Sequence, residues 1–176
     1  MDMLKRAYFL NRECSWLSFN QRVLKESTRE ENPLLERLRF IAIACSNLDE
    51  FFMIRVAGLK HLVASGVAHK DIAGLSPGEQ MLAVSRQAHR QYRAIYRCLA
   101  LVTRELAAEG ICFVRPEELT GERALWLAEL FEREIYPVVT PMALDPAHPF
   151  PFLASRSLNL AVKLRRAGED SERLAI

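Results

Sequence analysis

The stretch that most restricts the fold of this chain begins at Ser76-Pro77-Gly78-Glu79. A serine able to accept from first-turn N–H groups, a proline whose missing donor costs nothing at the first helical position, and a glutamate three residues after the serine form a complete helix-start signal. Behind it Met81, Ala88, Tyr92, Ile95, Leu99, Val102 and Leu106 recur by threes and fours, with Ser85 as the one polar member of the row. That alternation is the seam of a bundle helix. Gly110 is a natural stop. The spacing predicts one helix from about Pro77 to Glu109, on the order of 50 Å long at the α-helical rise. Such a rod cannot cover its own apolar stripe, so other helices must lie along it.

The preceding residues supply them. From about Glu13 to Arg29, Trp16, Leu17, Phe19, Val23 and Leu24 are interleaved with polar residues. Asn32-Pro33 reads as an N-cap with proline at the first helical position, followed by Leu34, Leu35, Leu38, Ile41 and Cys45. Ser46-Asn47-Leu48-Asp49-Glu50 reads as a junction at which Asn47 and Glu50 approximate a capping box. There the adjacent acids Asp49 and Glu50 would favour the positive helix start. Phe52, Val56, Leu59 and Val63 then form a new stripe, closed by Gly66. A bundle of three or four helices over residues 1–109, dominated by one long member, is the expected first domain.

Residues 110–176 change character. Ile111 to Pro116 reads as a short strand, and Thr120 as the cap of a helix running to about Ile135. Tyr136 to Leu144 is proline-broken and β-leaning, and Asp145 to Phe152 is a turn-rich loop. Leu158, Leu160, Val162 and Leu164 alternate with Asn159, Ala161 and Lys163, as in a strand with one buried face. The fold class is therefore α+β: an N-terminal helical bundle, then an incomplete α/β domain.

Composition fits that reading. Half of the 176 residues are hydrophobic and 26% are charged, the balance of a globular chain rather than a disordered one. The net charge of +2 is too small to argue for nucleic acid. No apolar run approaches the ~18 residues of a membrane span, and the N-terminus has no hydrophobic signal region, so the expected compartment is the cytoplasm. Cys14, Cys45, Cys98 and Cys112 form no C-x-x-C pair and sit at no metal-ligand spacing, so they are expected as buried or partly buried reduced thiols. Trp16, Phe19, Phe51 and Phe52 are expected in the core.

Three segments, in order, carry a resemblance: Asn11-Arg12-Glu13-Cys14-Ser15-Trp16-Leu17-Ser18-Phe19-Asn20, Ser46-Asn47-Leu48-Asp49-Glu50-Phe51-Phe52-Met53-Ile54-Arg55-Val56, and Tyr136-Pro137-Val138-Val139-Thr140-Pro141 running on to Phe152. Together with Asn32 to Phe40 they resemble the amino-terminal region of bacterial polyphosphate kinases over nearly the whole chain. The resemblance implies an enzyme that moves the terminal phosphate of ATP reversibly onto inorganic polyphosphate through a phosphohistidine, with Mg2+. It implies a helical N-terminal domain (here 1–109), a middle or head domain involved in dimerisation (here beginning at 110), and later phospholipase-D-like domains that hold the nucleophile and the metal. It thus implies a homo-oligomeric full-length protein whose remaining domains are partners of this piece. None of His61, His69, His89 or His148 is followed two places on by lysine, so no catalytic histidine is carried over and the chain reads as a fragment without kinase turnover.

Two sets of residues are site candidates. The resemblance implies that Asn47 contacts ATP as one wall of the adenine pocket. A helix-start amide beside free N–H groups suits that role, although the same position also suits a plain N-cap. Arg86, Arg90, Arg93 and Arg97 recur along one face of the long helix, opposite the seam. That stripe is either a solvated face or a track for a polyanion such as polyphosphate or ATP. From a different class, a stand-alone helical binding or regulatory module would keep the same bundle without kinase activity, and would more naturally end near Gly110.

Overall fold

The structure, a computed structural model, describes residues 8–145, 150–165 and 172–176. It divides into two compact units between Phe113 and Val114.

The first unit is helical. Helix α1 (Arg12–Lys25) starts at Asn11, whose side-chain oxygen accepts from Cys14 N–H. A 3-10 turn, Glu26–Thr28, follows. Helix α2 spans Leu34–Phe51, passes without a break into a π-helical segment, Phe52–Val56, and continues as α3, Ala57–Ala64. Gly66 leaves the helix at φ +68°. Helix α4 runs Pro77–Ala108 with the predicted capping box in place, Ser76 accepting from Glu79 N–H and the Glu79 carboxylate accepting from Ser76 N–H. Gly110 ends it at φ +84°, a conformation that only glycine adopts without strain.

The core gathers Leu17 and Leu24 of α1, Ile41, Ala44, Leu48 and Phe51 of α2, Val56, Leu59, and Val84, Ile95, Val102 and Leu106 of α4. Trp16 stacks on Phe51 with ring centroids 4.5 Å apart. Each such side chain removed from water contributes roughly 1.5–3 kcal/mol before chain entropy is charged against it.

Several expectations are corrected. Asn32 does not cap α2; its amide donates to Glu26 C=O and ties the 3-10 turn to the helix entry. The predicted junction at Ser46–Glu50 lies inside α2, so Asn47 is an interior helical residue with no free helix-start donors beside it, and Asp49 and Glu50 sit near the end of α2 rather than at a start. The apolar pattern does slip there: buried positions run Ile41, Ala44, Leu48, Phe51, then Val56 and Leu59. The step of five is taken up by one π turn instead of a loop. In α4, Gln80, Val84 and Gln91 are buried while Ser85 is exposed. The glutamines are tolerated because backbone carbonyls accept from them, Leu75 from Gln80 and Leu17 from Gln91. Met81, Tyr92 and Leu99 flank the core. Phe19 and Val63 face solvent, and so does Cys112; the other three cysteines are half-buried.

The second unit holds a 3-10 turn, Pro116–Glu118, and helix α5, Glu122–Leu130, which starts at Gly121 (φ +59°) rather than at Thr120. A π segment, Phe131–Ile135, and a 3-10 turn, Tyr136–Val138, complete the run. Strands β1 (Ala143–Leu144), β2 (Val162–Arg165) and β3 (Glu172–Ala175) form an antiparallel sheet in the order β1-β3-β2, with Ala175 opposite both Ala143 and Val162. Met142 and Ile176 exchange both backbone hydrogen bonds beyond the last β1 pair. The expected strand at Ile111–Pro116 is irregular backbone up to the 3-10 turn that Pro116 opens, and among the described residues no segment pairs with it. The expected strand from Leu158 is regular only from Val162, and β2 is exposed on both faces. The predicted loop Asp145–Phe152 lies partly outside the described residues, and Phe150 to Phe152 have no regular structure.

Candidate functional site

Asn47 belongs to a buried relay of amides that joins three helices. Asn20 of α1 is fully buried, and its Nδ2 donates to Ala44 C=O of α2 (2.9 Å) and to Gln91 Oε1 of α4 (3.3 Å). Asn47 Nδ2 donates to Asn20 Oδ1 at 3.0 Å. Gln91 Nε2 donates to Leu17 C=O (3.2 Å) and to Gln21 Oε1 (3.3 Å). The two backbone carbonyls can only accept, so they fix which end of each amide is nitrogen. With Ala44 C=O setting Asn20, Asn20 must present its oxygen to Asn47. Asn47 is therefore held by one N–H and keeps its carbonyl oxygen and its second N–H for another partner. By the same logic Gln21 accepts from Gln91 and keeps its NH2 group to donate.

A second link ties the helix starts together. Asn11 Nδ2 donates to Asp71 Oδ2 (2.7 Å) and Gln80 Oε1 (2.9 Å) while its oxygen caps α1. Glu13, buried on α1, accepts two hydrogen bonds from Arg55 of the π segment, at 3.0 and 2.6 Å. The hydrogen bond to Glu13 raises the Arg55 pKa above its ordinary value, against a smaller opposing effect of burial. Arg37 clamps the far end of the bundle, donating to Ser27 C=O and, bidentate, to Glu105.

The four stripe arginines are all exposed. Arg86 bonds back to Leu82 C=O of its own helix. Among the described residues none supplies an ion-pair partner to Arg86, Arg90, Arg93 or Arg97. Arg90 and Arg97 border a groove of about 390 Å³ between α1 and α4. Arg93 lies instead with His89, Tyr92 and Tyr96 on the opposite flank of α4, where Arg90 and Arg97 also reach. The structure thus does not bring Asn47 and the stripe to one place; the Asn20–Gln91 contact is what joins them.

Among the described residues no nucleophile is assembled. His61, His69 and His89 are exposed, and His89 Nδ1 lies 2.8 Å from Ser85 C=O, a bond back to its own helix. Burial raises the thiol pKa of Cys14, helped by Glu13 and Asp71 and opposed by Arg90, and that of Cys45, helped by Asp49. Among the described residues no group of three or more His, Cys, Asp or Glu side chains converges to hold a metal, and no helix is long and apolar enough to cross a membrane.

With this geometry in hand, comparison with known proteins is direct. The profile of the Polyphosphate kinase N-terminal domain matches residues 9–114, and that of the Polyphosphate kinase middle domain matches residues 122–176. The chain belongs to the polyphosphate kinase family. The Polyphosphate kinase of Thermosynechococcus vestitus is 46% identical over 182 residues, covering 99% of this chain and 24% of that protein. That of Streptomyces coelicolor is 48% identical over 165 residues, covering 92% and 22%. The crystal structure of the Polyphosphate kinase from Porphyromonas gingivalis superposes with a TM-score of 0.73 at 28% identity, over 95% of this chain and 24% of that one. The chain spans about a quarter of the length of the family members it matches.

The sequence reading missed Asn20, Gln21 and Gln91. Asn20 and Gln21 stand in a helical run among apolar neighbours, and a polar residue at a core-facing position was the available signal. Gln91 required knowing that α4 turns that residue, rather than Ser85, toward α1.

Proposed function

We propose that this chain is the nucleotide-contacting and scaffolding portion of an enzyme that transfers the terminal phosphate of ATP reversibly to inorganic polyphosphate through a phosphohistidine. In this reading residues 1–109 act as the helical domain and 110–176 begin the head domain of a cytoplasmic homo-oligomer. The nucleophilic histidine and Mg2+ belong to other parts of the protein. The 176-residue chain alone has no kinase turnover.

The observation that carries the reading is the polarised amide of Asn47. Held by one N–H, it keeps its carbonyl oxygen and its second N–H for another partner. That pair complements adenine, which offers an amino donor next to a ring-nitrogen acceptor. Guanine offers two acceptors along the corresponding edge and would set an oxygen against the Asn47 carbonyl. The stripe Arg86, Arg90, Arg93 and Arg97 forms a cationic face suited to a phosphate chain.

The test is Asn47→Ala in the full-length polyphosphate kinase that carries this domain. Loss of the paired contact should raise KM for ATP about tenfold, equivalent to ~1.4 kcal/mol, with the preference for ATP over GTP reduced. An unchanged KM and an unchanged ATP/GTP ratio in a folded variant would rule out the adenine contact.

A further inference from the structure

We infer that the groove between α1 and α4 is a discrete oxyanion subsite for a phosphate group, built by Arg90, Arg97 and Gln21 rather than by the arginine stripe as a whole. This rests on the reading that the α4 face meets phosphate, and it names where on that face. The first observation is the shape. Among the four arginines, only Arg90 and Arg97 border the groove, together with Ser18, Gln21, Gln87 and Gln91. A concave wall lets several donors converge on one group, whereas a convex helix face presents each charge separately.

The second observation is a donor count. Every polar side chain in the groove other than the two arginines is already oriented by bonds behind it. Gln87 Nε2 donates to Cys14 C=O (3.1 Å) and to Ser18 Oγ (3.0 Å), and Ser18 Oγ donates in turn to Cys14 C=O. Gln91 spends both N–H groups on Leu17 C=O and Gln21 Oε1, and its oxygen on Asn20. Gln21 is thereby fixed with its NH2 group unspent. What the groove has left is two guanidinium groups without an ion-pair partner among the described residues, one amide NH2, and one side-chain oxygen with neither lone pair engaged, Gln87 Oε1. That cationic, donor-rich set is unsuited to a cation and suited to a tetrahedral oxyanion, which has several lone pairs to fill and negative charge to neutralise. Because Gln91 sits almost fully buried and sets the Gln21 amide, that donor is oriented before any ligand arrives, and the two arginines are what remains to be ordered on binding.

The experiment is titration calorimetry of the 176-residue chain with sodium tripolyphosphate at low ionic strength, with ATP as the second titrant. Helical circular dichroism accompanies every variant. Arg90→Gln with Arg97→Gln should weaken tripolyphosphate at least tenfold. Gln21→Glu, which can still accept from Gln91 but sets a carboxylate between the arginines, should do the same. Arg86→Gln with Arg93→Gln, an equal loss of charge on the same face, should change affinity less than threefold. Competition by ATP for the same sites would identify nucleotide phosphate as the source of the oxyanion; independence from ATP would identify the inorganic chain. If the Arg86/Arg93 pair weakened binding as much as the Arg90/Arg97 pair, the face would bind phosphate as diffuse charge and the subsite would be refuted. If the unaltered chain bound no tripolyphosphate at low salt, both the subsite and the phosphate-facing reading of α4 would fall. Neither outcome bears on Asn47, whose contact is read from adenine preference.

Discussion

Replacing Gln91 with methionine tests whether the amide relay is a structural fact of the bundle. The two side chains have similar length and similar helix propensity, so α4 itself is not weakened. Gln91 is 2% exposed, and its loss removes three hydrogen bonds. Leu17 C=O keeps its place in the α1 ladder, and Gln21 can turn to water. The cost therefore falls on Asn20, which is fully buried and retains only Ala44 C=O as acceptor for its two N–H groups. One orphaned buried N–H costs about 1–3 kcal/mol, partly offset by the apolar transfer of methionine into the core, so a net loss of about 1–2 kcal/mol is expected. In urea denaturation followed by helical circular dichroism, the midpoint should fall with little change in slope. A cycle with Asn20→Ala should show a coupling of at least ~1 kcal/mol between positions 20 and 91. A loss below ~0.5 kcal/mol together with additive behaviour would mean that the two amides do not support one another, and the Asn20–Gln91 link between α1 and α4 would lose its basis.

Three further outcomes are expected. Glu13→Gln should destabilise the chain by roughly 1–2 kcal/mol, below the cost of breaking a fully buried pair because the Arg55 side chain is 36% exposed and regains water; Arg55→Lys should recover less than half of the bidentate contact, measured by the same denaturation. Glu79 has its pKa lowered, first by the Ser76 backbone N–H, then by the Ser76 hydroxyl and by Lys70. Its contribution is thus fully present above the ordinary carboxylate range and is lost as pH falls through the lowered folded value. The Tm gap between the unaltered chain and Glu79→Ala should accordingly close on acidification, and a gap that stays constant into acid would contradict the capping box. Cys112, exposed beyond α4, should react first with a thiol reagent at mildly alkaline pH. Cys14 and Cys45, whose pKa values are raised chiefly by burial, should lag behind it; mass-spectrometric mapping of the first label at either one would overturn this order.

Helix α4 was legible in the sequence at both ends because local chemistry specifies it: Ser76, Pro77 and Glu79 at the start and Gly110 at the stop act within a few residues of chain. The bundle class followed from the length of that helix alone. What was not legible depended on partners. Gln80 and Gln91 look like surface residues until the carbonyls of Leu75 and Leu17 are brought against them. Ile111 to Pro116 has strand composition, but a strand exists only where another segment supplies the ladder. Asn47 was marked as a site candidate by resemblance, while the physical support first offered for it, a helix start, was mistaken. The better support comes from Asn20, twenty-seven residues away in sequence, which no local pattern links to it.

The mistake at Asn47 has a counterpart in how the rod from Leu34 to Ala64 tolerates changes of length. Removing one residue from an ordinary helix rotates everything beyond the cut by about 100° and takes the buried face out of the core. Within Phe52–Val56 the same deletion would turn a wide turn into a normal one and leave every later backbone hydrogen bond available. The step of five from Phe51 to Val56 would become a step of four that an α turn spans, so Leu59 would stay on the core and the contact at risk would be the Glu13–Arg55 pair. Single-residue losses in this helix are therefore most readily accommodated within the same five positions.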